Sequence, residues 1–196
     1  MAIAPLSDRA TTLILQAEGL NQAGKWPGGA SGITIGYGYD LGQVKAERFV
    51  ADWGDVLPVA QLERLKAVIG LGGEKAKAAA PGLADIAIGK DVSLKVFLTR
   101  TVPEYQKQTE GAFPGLDKLP PDAQGALVSL VYNRGAKMDG DRRKEMRAIR
   151  DAVAKGDLKE IAAQLRAMKR LWEGQGLPGL LKRRDAEAAL LESCIA

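Results

Sequence analysis

Histidine is absent from the 196-residue chain, and cysteine occurs once, as Cys194. Without histidine, Ser-His-Asp and Cys-His catalysis are excluded, and so are most zinc sites. A single cysteine excludes an intramolecular disulfide. Acid–base chemistry must therefore come from carboxylates, lysine, tyrosine or water. Aromatics make up only 5% of the residues, while alanine and leucine dominate the apolar set. That balance favours helices packed on helices over a large sheet. No apolar run approaches membrane-spanning length. Met1 to Asp8 lacks the basic start and apolar stretch of a secretory signal, so synthesis in a cytoplasm is expected.

What is present suits a single soluble domain, with 46% hydrophobic and 27% charged residues. The formal charge is +4. From Asn133 onward there are 15 Lys and Arg against 10 Asp and Glu, so the remainder of the chain is close to neutral. A basic C-terminal third points to an anionic partner such as nucleic acid, acidic lipid or a negatively charged cell wall. It is equally what amphipathic helices with solvated basic faces would give.

Along the chain, Ser7 or Asp8 can cap a helix running to about Leu20, with Leu13, Ile14, Ala17 and Leu20 on its apolar stripe. Residues 21–32 are rich in glycine and turn formers. The following ITIGYGYDL alternates with period two and predicts a short strand or hairpin. Helices are expected over Val44 to Trp53 and Pro58 to Ile69. The Gly/Ala/Lys-rich stretch 70–91 looks like a connector between a hairpin lobe (about 21–70) and a helical lobe (about 92–196 with the first helix). A helix from Val92 to about Glu110 should be kinked or divided by Pro103. Pro121 begins a helix reaching Tyr132 and closed by Asn133-Arg134-Gly135. Asp141 to Ala154 and Asp157 to Trp172 form a pair joined at Lys155-Gly156, and a last helix ends near Ser193. The fold class is α+β, mostly α, with one small β element.

Chemistry concentrates between Glu18 and Gly42. Glu18 lies four residues after Ile14, beside the apolar stripe and near a helix C-terminus. Partial burial and the negative end of a helix dipole both favour a protonated carboxyl. Glycosidic bond cleavage needs such a general acid. On the strand, Ile33, Ile35, Tyr37, Tyr39 and Leu41 share a core face. Thr34, Gly36, Gly38 and Asp40 share the other. Glycines at 36 and 38 permit close approach of a sugar or of another backbone segment, while Thr34 and Asp40 could hold a water. A tight hairpin that needs glycine for its turns, with Asp40 as a turn residue, explains the same pattern.

Three patches carry a resemblance. Glu18-Gly19-Leu20, followed by Gly32-Ile-Thr34-Ile-Gly36-Tyr37-Gly38, resembles the N-terminal signature of phage-type lysozymes, glycoside hydrolase family 24. Ala126-Leu-Val-Ser-Leu-Val-Tyr-Asn133-Arg-Gly135 is similar to the family's helix ending in an aromatic-Asn-x-Gly turn. Gly179-Leu-Leu-Lys-Arg183-Arg184-Asp-Ala-Glu187 resembles its Gly-Leu-x-x-Arg-Arg-x-x-Glu helix. The patches occur in family order across about residues 10–190. The common pattern has an Asp or Cys between the Glu and the Thr, and residues 19–33 have neither. The order Glu18, Thr34, Asp40 is instead similar to the pesticin-like branch, which includes bacteriocin toxin domains.

The resemblance implies a lysozyme-like fold and a muramidase that cuts the β-1,4 bond between N-acetylmuramic acid and N-acetylglucosamine in peptidoglycan. It implies Glu18 as proton donor, with Asp40 and Thr34 holding the attacking water. It also implies no cofactor, and Arg183 or Arg184 behind Glu18. A monomer acting on the wall after release by a holin or another route is expected, with no nucleic acid and no membrane insertion. Trp26, in the Gly-rich loop, is the best aromatic candidate for a substrate contact, while Trp53 and Trp172 read as core. Asn133 reads as a helix-closing residue facing the cleft. A lytic transglycosylase or a non-catalytic glycan-binding module on the same fold remains an alternative. A nucleic-acid-binding helical protein, suggested by charge alone, leaves the hairpin unexplained.

Overall fold

The computed structural model describes residues 5–195. Ser7 opens the first helix. Its Oγ accepts a hydrogen bond from the Ala10 backbone N–H at 3.1 Å, satisfying one of the donors a helix N-terminus leaves unpaired. This helix, α1, spans Asp8–Glu18 and stops where Gly19 takes φ +66°. Glycine adopts that left-handed conformation without a Cβ clash, so it ends helices readily. The helix therefore closes two residues short of the expected Leu20, which is 40% exposed. Glu18 becomes the last helical residue.

The chain divides into two compact units, one running up to Ala17 and resuming at Val102, the other covering Glu18–Thr101. The second unit contains the sheet. Strands β1 (Thr34–Ile35) and β2 (Tyr39–Asp40) pair antiparallel, with Thr34 opposite Asp40 and Ile35 opposite Tyr39. A hairpin this short has no independent stability. It is held because Ile33, Ile35, Tyr39 and Leu41 are buried with Phe49 and Trp53 of α2 (Ala46–Trp53) and Leu62 and Leu65 of α3 (Val59–Lys66). The Tyr39 ring meets Trp53 edge-on at 5.5 Å. Its hydroxyl donates to the buried Asp52 carboxylate at 2.8 Å, which also receives Arg48 Nε.

Residues 70–91, expected as a connector, are packed instead. They form α4 (Glu74–Ala79) and a 3₁₀ turn (Ala80–Leu83), and Ala76, Ala80, Leu83, Ile86 and Ile88 enter the same core. The sequence hides this packing for a simple reason. Alanine forms helix readily and packs closely, yet it carries too weak an apolar signal to stand out among glycines and lysines. Next come α5 (Lys90–Val96), a π turn (Phe97–Thr101) and α6 (Val102–Ala112). The expected division falls ahead of Pro103, which sits in the first turn of α6, where its missing N–H costs nothing.

In the first unit, α7 (Pro121–Arg134) is the central helix, with Ala123 and every residue from Gly125 to Val131 buried. Gly125 permits close contact with α1, since a Cβ there would lie 2.1 Å from that of Ala10. Around it are α8 (Lys144–Lys155), α9 (Leu158–Ala167) and α10 (Pro178–Glu192). The α8–α9 pair turns at Gly156, φ +68°, and Asp157 caps α9 by accepting from the Glu160 N–H at 3.0 Å. Trp172 and Trp53 are both buried, as expected. The described residues are mostly α with one small antiparallel sheet.

Candidate active site

Residues directly opposite in an antiparallel ladder project to the same face. The pairing of Thr34 with Asp40 therefore sets a hydroxyl beside a carboxylate. Asp40 is anchored through one oxygen. Oδ1 accepts from the backbone N–H of Gly32 at 3.0 Å and of Gly42 at 2.8 Å, closing the chain on both sides of the hairpin. Gly32 has no room for a side chain, because a Cβ would come 2.4 Å from Oδ1 and 2.3 Å from the Gly42 nitrogen. The other oxygen, Oδ2, makes no hydrogen bond among the described residues, and neither does the Thr34 hydroxyl. Two oxygens that can bind water thus stand together on a strand pair fixed by the core beneath it.

Glu18 is half-buried and lies at the start of the segment that meets the hairpin. Three residues on, Asn21 forms an antiparallel bridge with Gly36. The Asn21 N–H donates to the Gly36 carbonyl at 2.8 Å, and the Gly36 N–H donates back at 3.1 Å. The segment that follows Glu18 is thereby tied to the turn between β1 and β2. In that turn Gly36 takes φ +55° and Gly38 φ +74°. Tyr37 between them packs edge-on against Phe97 at 5.8 Å. A Cβ on Gly36 would lie 3.0 Å from Trp53 and 3.4 Å from Ser93, so its bare face accommodates the packed interior. Trp26 is half-buried, donates Nε1–H to the Ser31 carbonyl at 2.9 Å and has Lys77 Nζ 5.6 Å from its ring. It closes its own Gly-rich loop.

Among the described residues no group of His, Cys, Asp or Glu gathers as a metal set. The chemistry available to Glu18, Thr34 and Asp40 is proton transfer and activation of water. The phage lysozyme family model matches residues 16–187, a span that takes in all three. The chain belongs to the phage lysozyme family. No curated protein matches it. Membership makes the chain a lysozyme-type peptidoglycan hydrolase with a lysozyme-like, mostly α fold. No described helix is long and apolar enough to cross a membrane.

The family's two downstream patches lie in the first unit. Asn133 is half-buried in the last turn of α7, ahead of Gly135 at φ +71°, and its buried Oδ1 has no hydrogen-bond partner among the described residues. Arg183 and Arg184 are buried on α10, and both bond Glu187 Oε1, at 3.4 and 2.7 Å. Ser129 of α7 donates to the same oxygen at 2.6 Å, and Arg183 also reaches the Ser129 carbonyl at 3.0 Å. Burial lowers the Arg184 guanidinium from its ordinary range, with the Glu187 carboxylate opposing that effect. Arg134, stacked 4.8 Å from Trp172, is pushed down to about 10 by burial and then by the charges of Arg143, Arg184 and Arg142.

Ser129, Glu187 and Asn21 were not singled out from sequence. Ser129 was visible as the lone hydroxyl in an apolar run, and Glu187 by its helical spacing from the arginine pair. Asn21 carries no pattern at all, since its pairing is made by backbone groups.

Proposed function

We propose that the chain is an N-acetylmuramidase of the pesticin-like branch of glycoside hydrolase family 24. It cleaves the β-1,4 bond between N-acetylmuramic acid and N-acetylglucosamine. The observation that carries the reading is the facing pair Thr34 and Asp40, with Asp40 anchored through Oδ1 and Oδ2 left for a ligand. Glu18 gives its proton to the bridging oxygen, and the N-acetylglucosamine end leaves as an alcohol. A water bound by Thr34 Oγ1 and Asp40 Oδ2 attacks the muramic anomeric carbon and passes a proton to Asp40. The enzyme works as a monomer on the wall, after release by a holin or another delivery route.

The test uses Glu18→Gln, Asp40→Asn and Thr34→Ala, each checked for folding by circular dichroism and assayed on purified cell walls. Glu18→Gln is expected to abolish lysis. Residual activity within about tenfold of the parent overturns the assignment, because a positioned general acid contributes about a hundredfold or more. Asp40→Asn and Thr34→Ala should each lower turnover by orders of magnitude with modest loss of binding. Mass spectrometry of the products should show reducing muramic ends. Anhydro-muramic ends would instead identify a transglycosylase, and a glycosyl-enzyme trapped on Asp40 would replace the bound water with a nucleophile.

A further inference from the structure

We infer that Asn21 is a positioning residue, whose side-chain amide sets the Glu18 carboxyl against the Thr34–Asp40 pair. The inference rests on the proposed roles of those three residues. A helix that ends at Glu18 leaves its last carbonyls without intrahelical donors. The Asn21 Nδ2 group serves this end, lying 3.5 Å from the Glu18 carbonyl oxygen and 3.4 Å from that of Gly19. It also donates to the Gly36 carbonyl at 3.2 Å. Gly36 O thus receives both the backbone and the side-chain N–H of Asn21, while the other Nδ2 contacts reach back to the residue bearing the acid. One amide group connects the acid's own peptide to the hairpin turn.

The backbone bridge alone fixes Asn21 relative to Gly36. It leaves a pivot at Gly19, a residue with φ +66° and no Cβ to restrict it. The side-chain amide spans that pivot. Removing it should let the Glu18 backbone shift relative to the hairpin without dissolving the core, because all three contacts are long and lie at the partly exposed surface of the unit. Misplacement of a catalytic group by about 1 Å can reduce rate by about a hundredfold. The amide is therefore expected to matter to turnover much more than to folding or substrate affinity.

Asn21→Ala deletes the donors. Asn21→Asp keeps the shape but offers an acceptor-only carboxylate to carbonyls that accept already. Kinetics on a soluble, uncharged chito- or muro-oligomer should show kcat lowered about ten- to a hundredfold in both. KM should remain within about twofold, the signature of an interaction lost only in the transition state. The melting temperature should fall by no more than about 4 °C. Parental kcat in either variant overturns the inference. So does a loss confined to KM, or one that tracks the melting temperature. Glu18→Gln measured alongside separates the two levels. If it is inactive while Asn21→Ala keeps the parental rate, only the positioning role fails. If it is active, the acid assignment fails and this inference with it.

Discussion

Asp40 divides two tasks between two oxygens, and its neighbours show how little freedom it has. Oδ1 takes two backbone donors while Oδ2 makes no hydrogen bond among the described residues, so replacements around it should separate scaffold from chemistry. Asp40→Asn retains an acceptor for at least one donor and should fold while losing turnover. Gly32→Ala should do both kinds of damage. Its methyl would stand 2.4 Å from Oδ1 and 2.3 Å from the Gly42 nitrogen, distances that only a backbone shift can relieve. Overpacking of this sort costs about 1–3 kcal/mol. A lowered melting temperature together with lost wall lysis is the expected outcome. A stable, active Gly32→Ala variant would show that the Asp40 anchor is dispensable. Period-two alternation places Thr34 and Asp40 on one face in the sequence, while their direct pairing across the hairpin is set by the turn at Gly36 to Gly38. The anchoring of Asp40 was not legible there, since its partners are amides of glycines with no side chain to announce them.

At the level of elements, α7 and α10 are joined by charge buried in a core. Arg183, Arg184 and Glu187 sit on α10 at helical spacings, and Ser129 on α7 completes the set. Removing one partner of a buried ion pair costs about 3–5 kcal/mol, because the other charge is left uncompensated. Glu187→Gln should therefore destabilise far more than Ser129→Ala, which removes one hydroxyl and costs about 1–3 kcal/mol. Chemical denaturation of the two variants measures the difference, and equal losses would mean that Glu187 does not carry the pairing. The helices themselves were readable from Pro121, Gly135, Gly156 and the periodic leucines. Residues 70–91 were not, because buried alanines such as Ala76 and Ala80 look the same in sequence as exposed ones. Likewise the break ahead of Pro103 takes the form of a π turn in which Phe97 and Thr101 are buried, and such a turn leaves no local signature.

For the molecule as a whole, the +4 charge arises beyond Asn133, where 15 basic residues meet 10 acidic ones. An excess of this kind can draw a hydrolase to an anionic wall. The structure separates the charges that are free to do so from those that are not. Arg143 donates Nη2–H to the Arg134 carbonyl at 2.6 Å, and Arg134 donates back to the Arg142 carbonyl at 2.7 Å. These two guanidinium groups hold the turn between α7 and α8 together. Lys137, Arg142 and Lys144 are exposed. Attraction between exposed charges is screened as the Debye length falls from about 10 Å at 0.1 M salt to about 3 Å at 1 M. Lysis of intact walls should therefore weaken as salt is added, while cleavage of short neutral oligomers changes little. Replacing Lys137, Arg142 and Lys144 together by Gln should blunt the salt response on walls and leave the oligomer rate unaltered. Replacing Arg143 should lower stability instead, because it opens the turn. If walls and oligomers showed the same salt dependence, the charge would act on stability or on the active site, and attraction to the wall would not explain it.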